Sequence, residues 1–107
     1  MINTVSMCDY IQNHTATGSE VLVDIREKFM YTFGTIPGAI NISLDRIGQL
    51  YELPKDRDIY MFCQSGEISA QIAELLSDAG YTVYHLTGGY REYLRERLQK
   101  QSKTDKV

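Results

Sequence analysis

Two hydrophobic periodicities alternate along the chain, and each is typical of one kind of secondary structure. Short runs rich in β-branched and aliphatic residues predict strands at residues 21–25, 39–42, 59–62 and 82–86. Apolar residues that recur every three or four positions predict helices after Ser6, after Ser43, from Ile68 to Gly80 and after Gly88 and Gly89. Strands that alternate with helices imply right-handed crossovers. We therefore expect an α/β fold with a parallel sheet covered on both faces.

The predicted helices carry apolar stripes that should face the sheet. Ser6 is expected to cap the first helix together with Asp9, Ser43 should cap the second, and residues 15–19 break the first. The stripes are Met7, Tyr10, Ile11 and His14; Leu44, Ile47, Leu50 and Tyr51; Ile68, Ile72, Leu75 and Ala79; and Tyr90, Tyr93, Leu94 and Leu98. We expect His85, inside the last strand, to be packed or at an edge.

Composition limits the possible partners. We expect the chain of 107 residues to contain one domain, at residues 1–100, and a polar tail at residues 101–107. The net charge of −3 argues against a nucleic-acid partner. Residues 1–90 carry five basic and eleven acidic groups, whereas residues 91–107 carry six basic and three acidic groups. We interpret the basic end as a solvated helix and frayed tail rather than a docking surface for an acidic partner.

Cysteine usage and hydropathy indicate a reducing compartment. Cys8 and Cys63 lack the CxxC spacing of a metal or redox pair, and they are too few for a disulfide framework. No signal peptide is visible at the start, and no apolar run approaches the roughly 20 residues of a membrane span. We therefore expect a cytoplasmic monomer with no membrane contact, no metal and no cofactor, in which a free thiol can persist.

The chemistry of the chain centres on Cys63. Four apolar residues predict a buried strand at residues 59–62, Cys63 follows it, and a short loop with one glycine leads into a helix. Open α/β sheets bind ligands at the carboxyl ends of their strands. The first N–H groups of a helix stabilise an anion there, so we expect Cys63 to be a nucleophilic thiolate.

Four motifs in order resemble the single-domain rhodaneses, over nearly the whole chain. They are Val-Asp-Ile-Arg-Glu at residues 23–27, Gly-Thr-Ile-Pro-Gly-Ala-Ile-Asn-Ile at residues 34–42, the Cys63 loop, and Gly-Tyr at 80–81 with Leu-Thr-Gly-Gly-Tyr at 86–90. The resemblance implies a rhodanese-like open parallel sheet of about five strands. It also implies a sulfurtransferase in which Cys63 carries sulfane sulfur as a persulfide, from a donor such as thiosulfate to a thiol, a protein or cyanide.

The resemblance also supplies the site residues. The backbone N–H groups of the loop would hold the transferred sulfur, and these belong to Gln64, Ser65, Gly66, Glu67, Ile68 and Ser69. The family usually has arginine where this chain has Ile68, so one cation for an anionic donor is missing, and we expect Glu67 to point outward. Arg26 is the remaining candidate cation if it turns toward the loop, although an ion pair with Asp24 is the favoured interpretation.

Two other functions share parts of this pattern. The missing arginine favours a rhodanese-like binding or regulatory module with weak turnover as an alternative to the sulfurtransferase. A cysteine phosphatase or arsenate reductase would need a bidentate arginine about six residues after the cysteine. That position is Ser69, and no arginine occurs between Cys63 and Arg91, which argues against this class.

Overall fold

The strand–helix alternation folds into a five-stranded parallel sheet. A computed structural model describes residues 2–14 and 18–104, with side chains to residue 99. The strands are β1 (Asn3–Ser6), β2 (Val21–Asp24), β3 (Ile40–Asn41), β4 (Ile59–Phe62) and β5 (Val83–Thr87), and their order in the sheet is β1-β5-β4-β2-β3. The helices are α1 (Met7–Asn13), α2 (Lys28–Phe33), α3 (Glu67–Asp78) and α4 (Gly89–Thr104), with a 3₁₀ helix at Leu44–Glu52. The predicted α/β class is confirmed.

Alternating residues of the central strands fill two hydrophobic layers. Val23, Met61 and Val83 pack on one side of the sheet with Ile72 and Leu76 of α3. The opposite layer joins β2, β4 and β5 to α1 and α4. It includes Leu22, Phe62, Leu86, Met7 and Tyr93. Because both sides are covered, the central strands are apolar on both faces, as parallel strands usually are.

Two elements have no counterpart in the sequence-based prediction. β1 pairs with β5 at the edge of the sheet, and its four residues include one aliphatic side chain, Val5. A half-exposed edge strand therefore carries no apolar run for the sequence pattern to reveal. α2 is only six residues long, contains no fully buried side chain and lacks a side-chain cap, so the usual helix signals are missing.

The first two helix predictions had different outcomes. Ser6 caps α1 as predicted, because its side chain accepts a hydrogen bond from the Asp9 N–H at 3.0 Å. The second helix is a 3₁₀ helix with a kink at Arg46, and Ser43 does not cap it. Its hydroxyl instead donates to the Asp45 carboxylate. The break at residues 15–19 falls largely outside the described residues.

The apolar stripes predicted for the last two helices are wrong in part. In α3, Ile68 and Leu75 are 47% and 49% exposed, whereas Ser69 is fully buried. Ser69 bonds to the Cys63 sulfur and lies on the buried face with Ile72 and Leu76, so the inward position of the first turn is polar rather than Ile68. In α4, Tyr93 is buried as expected, but Leu94 and Leu98 are 41% and 65% exposed.

The last helix of the described residues, α4, continues to Thr104 and so includes part of the segment predicted as a polar tail. Among the residues that the structure describes, no helix is both long and apolar enough to cross a membrane.

Candidate active site

The Cys63 sulfur lies in a cradle of backbone amides at the carboxyl edge of β4. Its Sγ atom accepts hydrogen bonds from the N–H groups of Gly66 at 3.1 Å and Ser69 at 3.3 Å. The thiol also contacts the Ser69 hydroxyl at 3.3 Å, and that hydroxyl can donate to the Gly66 carbonyl. Two N–H dipoles at the start of α3 therefore point at one sulfur atom, which favours negative charge on that sulfur.

Two glycines give the loop its shape. Gly66 has φ +103°, a left-handed conformation in which a side chain is strained. Gly89 lets the start of α4 approach the loop closely, because a Cβ atom at residue 89 would lie 2.4 Å from the Cys63 carbonyl oxygen. The N–H groups of Tyr90 and Arg91 then bond to the carbonyls of Cys63 and Gln64 at 2.8 and 3.0 Å. The N-terminus of α4 thus anchors the loop from behind.

A buried ion pair fixes the neighbouring strand end. Asp24 is fully buried and accepts from the Arg26 guanidinium, at 2.7 Å for the shortest contact, and from the Thr35 hydroxyl at 2.8 Å. The guanidinium also donates to the Gly34 carbonyl and lies over the Tyr90 ring, 4.0 Å from its centre. The favoured interpretation of a local ion pair is borne out by this geometry, and Asp24 offsets most of the Arg26 charge.

Arg26 nevertheless reaches the Cys63 loop, as the sequence analysis required of a candidate cation. Its Nη1 atom lies 3.3 Å from the Gln64 side-chain oxygen, and the residue borders the cleft in front of Cys63. Only 7% of Arg26 is exposed. Little of its guanidinium is therefore open to a donor.

Cys63 opens onto a cleft of about 740 Å³ between α2, the 3₁₀ helix and the start of α3. Of the predicted site residues, six border this cleft: Arg26, Cys63, Gln64, Ser65, Glu67 and Ile68. The other two, Gly66 and Ser69, are buried, and each has an N–H that bonds to Sγ. The Glu67 side chain is exposed, as expected, although it stands at the mouth of the cleft.

Sequence reasoning missed half of the cleft wall. Phe29 and Met30 of α2 and Leu44 of the 3₁₀ helix supply apolar surface, while Lys28 and Arg46 supply positive charge. These residues belong to the two elements whose helical form was missed or misassigned. The i, i+4 pair Phe29 and Phe33, which meet edge to face at 5.1 Å, is the one signal that could have indicated α2.

The charges around the cleft are mixed. Lys28 and Arg46 stand beside the carboxylates of Glu27, Asp45 and Glu67. The Ser43 hydroxyl donates to Asp45 and holds the pKa of that carboxyl below its ordinary value, so the group is negative in neutral solution. An anionic donor therefore meets no net positive field at the mouth of this cleft, and backbone amides remain its main attraction.

A buried histidine lies under the loop. His85 is 6% exposed in β5, which pairs with strands on both sides, so it is a packed residue rather than an edge residue. Burial lowers the pKa of His85 below its ordinary value, and the nearby Gly66 backbone opposes part of that effect. Among the described residues, its buried Nε2 atom has no hydrogen-bond partner of normal geometry, and it lies 3.8 Å from the Cβ position at Gly66.

The chain also matches known proteins over most of its length. A model of the rhodanese-like domain covers residues 7–96. A sulfurtransferase of Allochromatium vinosum is 34% identical over 92% of this chain and 94% of its own. A human thiosulfate:glutathione sulfurtransferase is 33% identical over 87% of this chain and 94% of its own. In a crystal structure, a rhodanese-related protein of Thermoplasma volcanium superposes with a TM-score of 0.77, at 26% identity, over 88% of this chain and 92% of that one.

One further relative bears on the expected partners. A tRNA sulfurtransferase of Desulfurococcus amylolyticus is 32% identical over 78% of this chain, which spans only 16% of that protein. The expectation that nucleic acid is excluded therefore gains no support from the comparisons. The family model, the sulfurtransferase relatives and the shared fold agree with the motifs around Cys63: the chain belongs to the rhodanese-like domain family.

Proposed function

We propose that this protein is a sulfurtransferase that moves sulfane sulfur through a persulfide on Cys63. The donor is thiosulfate or a similar sulfane-sulfur compound, and the acceptor is a thiol or cyanide. The relatives named as sulfurtransferases support the general class. The finer assignment to a Cys63 persulfide depends on the local geometry.

The pair of N–H groups on the Cys63 sulfur is the observation that carries this proposal. Gly66 and Ser69 each donate to Sγ, and Ser69 adds a hydroxyl that can turn to donate to a thiolate. A helix start also has further N–H groups without intrahelical acceptors, here at Glu67 and Ile68. These groups can hold the terminal sulfur of a persulfide, which bears the negative charge after transfer.

The reaction has two displacements at sulfur. The Cys63 thiolate attacks the outer sulfur of thiosulfate, a new sulfur–sulfur bond forms, and the sulfur–sulfur bond of the donor breaks to release sulfite. The acceptor thiolate or cyanide then attacks the terminal sulfur and restores the Cys63 thiolate. No electrons are gained or lost overall, so no external oxidant or reductant is required.

A second candidate function is a rhodanese-like binding module with weak turnover. The mixed charges at the cleft mouth favour it, because Ile68 is apolar and exposed where an arginine would attract the donor, and Glu67 stands beside it. Both candidates share the cradle around Cys63. They differ in how readily an anionic donor loads it.

A single-turnover measurement tests the proposal. The reduced protein is mixed with thiosulfate without an acceptor, and sulfite is measured against time. We expect a burst of one sulfite per chain followed by little further release, because the persulfide has no acceptor. Addition of cyanide should restart sulfite release. A protein that releases no sulfite burst at saturating thiosulfate is the binding module instead.

A further inference from the structure

An apolar groove runs beside the active-site cleft, between α2 and α4. Its walls are Phe29 and Phe33 on α2, which are 65% and 82% exposed, and Leu94 on α4. Its floor is formed by Tyr90 and by the Gln64 side chain, and its volume is about 380 Å³. So many large apolar side chains exposed together on a small domain are typical of an interaction site rather than of ordinary solvent-facing surface.

The α4 wall combines apolar and positive side chains on one helical stripe. Arg91, Leu94, Arg95 and Leu98 follow the i, i+3, i+4, i+7 spacing, and all four are exposed. They border a shallow depression next to the groove, which Gln64 also lines. Within the described part of the chain, Arg95 pairs with Glu92 at 3.5 Å, and because this pairing is loose and exposed, it leaves the Arg95 charge open to a partner.

The groove leads directly to the nucleophile. Gln64 follows Cys63 in the chain and borders the cleft, the groove and the depression. Phe29 and Met30 border both the cleft and the groove. A chain segment that lies in the groove therefore has its end beside the opening above Cys63. A small thiol would use the cleft alone and would need no such surface.

We propose that this groove binds an acidic and apolar segment of a protein whose thiol exchanges sulfur with Cys63. The inference rests on the proposed function and narrows its acceptor to a protein. The exposed phenylalanine and leucine side chains match apolar side chains of such a segment, and Arg91 and Arg95 match its carboxylates. The position of the groove beside the cleft explains why the surface is on this face of the domain.

The charge pattern favours a protein over the other possible occupants. The basic stripe contains two arginines that alternate with two leucines, whereas nucleic acid would be held by cations along a phosphate path. The charged side chains around the cleft carry no net charge, because three are acidic and three are basic: Glu27, Asp45, Glu67, Lys28, Arg46 and Arg26. A strongly anionic bilayer would therefore gain attraction at α4 alone.

Fluorescence anisotropy with a designed probe tests the proposal. The probe is a labelled peptide in which leucine and glutamate alternate before a terminal cysteine, and its control has lysine in place of glutamate. We expect the acidic peptide to bind at least about tenfold more tightly than the basic one. Leu98→Ser and Phe33→Ser should each weaken binding by about tenfold, and Arg91→Glu with Arg95→Glu by more.

Leu75→Ser is the matched control, because Leu75 is 49% exposed on α3 and borders none of these three surfaces. We expect it to leave peptide binding unchanged. Equal binding of the two peptides, or equal weakening by Leu75→Ser and Leu98→Ser, would overturn the proposal.

The other occupants are tested with the same variants. The proposal also fails if the wild-type chain is a dimer that Leu98→Ser converts to monomer, or if phosphatidylserine vesicles or bulk tRNA bind better than the acidic peptide and lose binding in Leu98→Ser.

Rates of sulfur transfer distinguish a failure of the docking proposal from a failure of the proposed function. For persulfide-loaded wild type, we expect the peptide thiol to accept sulfur faster than a small thiol such as 2-mercaptoethanol, and Leu98→Ser should lower that ratio. If the protein loads sulfur and delivers it only to the small thiol, the docking surface is wrong and the sulfurtransferase remains. If the peptide binds but Cys63 never loads, the proposed function is wrong, and the groove serves some other protein contact.

Discussion

The two cysteines of this chain have opposite surroundings. Cys63 is 5% exposed, at a strand end, and its sulfur accepts two backbone N–H groups. Cys8 is half-buried on the side of α1, where its sulfur accepts a hydrogen bond from the Gln12 side chain and none from a backbone N–H of the described residues. Interaction with the Glu96 carboxylate, together with partial burial and Glu92, raises the pKa of the Cys8 thiol.

The two sulfur atoms differ in how the backbone is oriented around them as well as in exposure. Exposure alone would favour Cys8, since it is the more accessible thiol. At Cys8 the neighbours are carboxylates that oppose a thiolate, whereas at Cys63 the start of α3 presents N–H dipoles that stabilise one. The proposed role of Cys63 as the sulfur carrier therefore rests on its position relative to the start of α3.

Removing each cysteine in turn should give the largest contrast. We expect Cys63→Ala to lower kcat/KM for sulfur transfer by at least about a thousandfold, because the proposed covalent intermediate forms on Cys63. Cys8→Ala should stay within about twofold of the wild type. Steady-state sulfite release measures both. A larger loss in Cys8→Ala than in Cys63→Ala would reverse the comparison.

A substitution that moves the Gly66 N–H away from the Cys63 sulfur should give the second-largest loss of activity. In Gly66→Ala the new Cβ would meet the Gly88 nitrogen at 3.2 Å, and φ +103° is strained for alanine. The loop must shift, so we expect kcat/KM to fall by about tenfold to a hundredfold. Gly18→Ala is the control, because φ +83° imposes similar strain in open space far along the chain from Cys63. Full activity in both variants, or an equal loss in both, would contradict a role for the Gly66 N–H in sulfur transfer.

Adding a cation beside Cys63 should give a smaller effect. Ile68→Arg places a positive charge at the cleft mouth, and because Ile68 is half-exposed, the change should alter the free energy of unfolding by less than about 0.5 kcal/mol. We expect the KM for thiosulfate to fall by about five- to tenfold at low salt and less at high salt. Leu75→Arg adds the same charge to the exposed side of α3, away from the cleft, and should leave KM unchanged. Equal KM values in Ile68→Arg and wild type would show that backbone amides alone hold the donor.

The smallest effect concerns His85, which supports the loop from below. Its folded-state pKa lies below the ordinary value of 6.5, so the unfolded chain binds its proton first as the pH falls. Its stabilising effect as a neutral residue is therefore complete above pH 6.5 and is lost as the pH falls from there toward the folded-state pKa. We expect His85→Leu to lose less stability than wild type between pH 7 and pH 5 in urea titrations. Parallel curves for the two proteins would contradict this.

The sequence predicts the parts of the molecule that local patterns determine. The central strands were found from their β-branched runs, and the position of Cys63 followed from the end of β4 and the glycine-bearing loop. The cap at Ser6 was also local, since its partner Asp9 is three residues away. These features depend on residues close together in the chain, where periodicity and turn residues carry the information.

The remaining features depend on contacts between distant elements. β1 exists only because it pairs with β5 at the far end of the chain. The buried face of α3 begins at Ser69, whose N–H bonds to the Cys63 sulfur, and a polar residue gives no hydrophobic signal at that position. The cleft wall from α2 was missed because Phe29 and Phe33 are exposed, so they belong to no buried stripe.

Mass spectrometry after sulfur loading tests directly whether Cys63 is the residue that carries the sulfur. The wild-type chain is incubated with thiosulfate, freed of excess donor and digested without reductant, and the two cysteine-containing peptides are weighed. We expect the peptide that contains Cys63 to be heavier by one sulfur atom and the peptide that contains Cys8 to keep its mass. Sulfur found on Cys8, or on neither cysteine after saturating exposure, would contradict it.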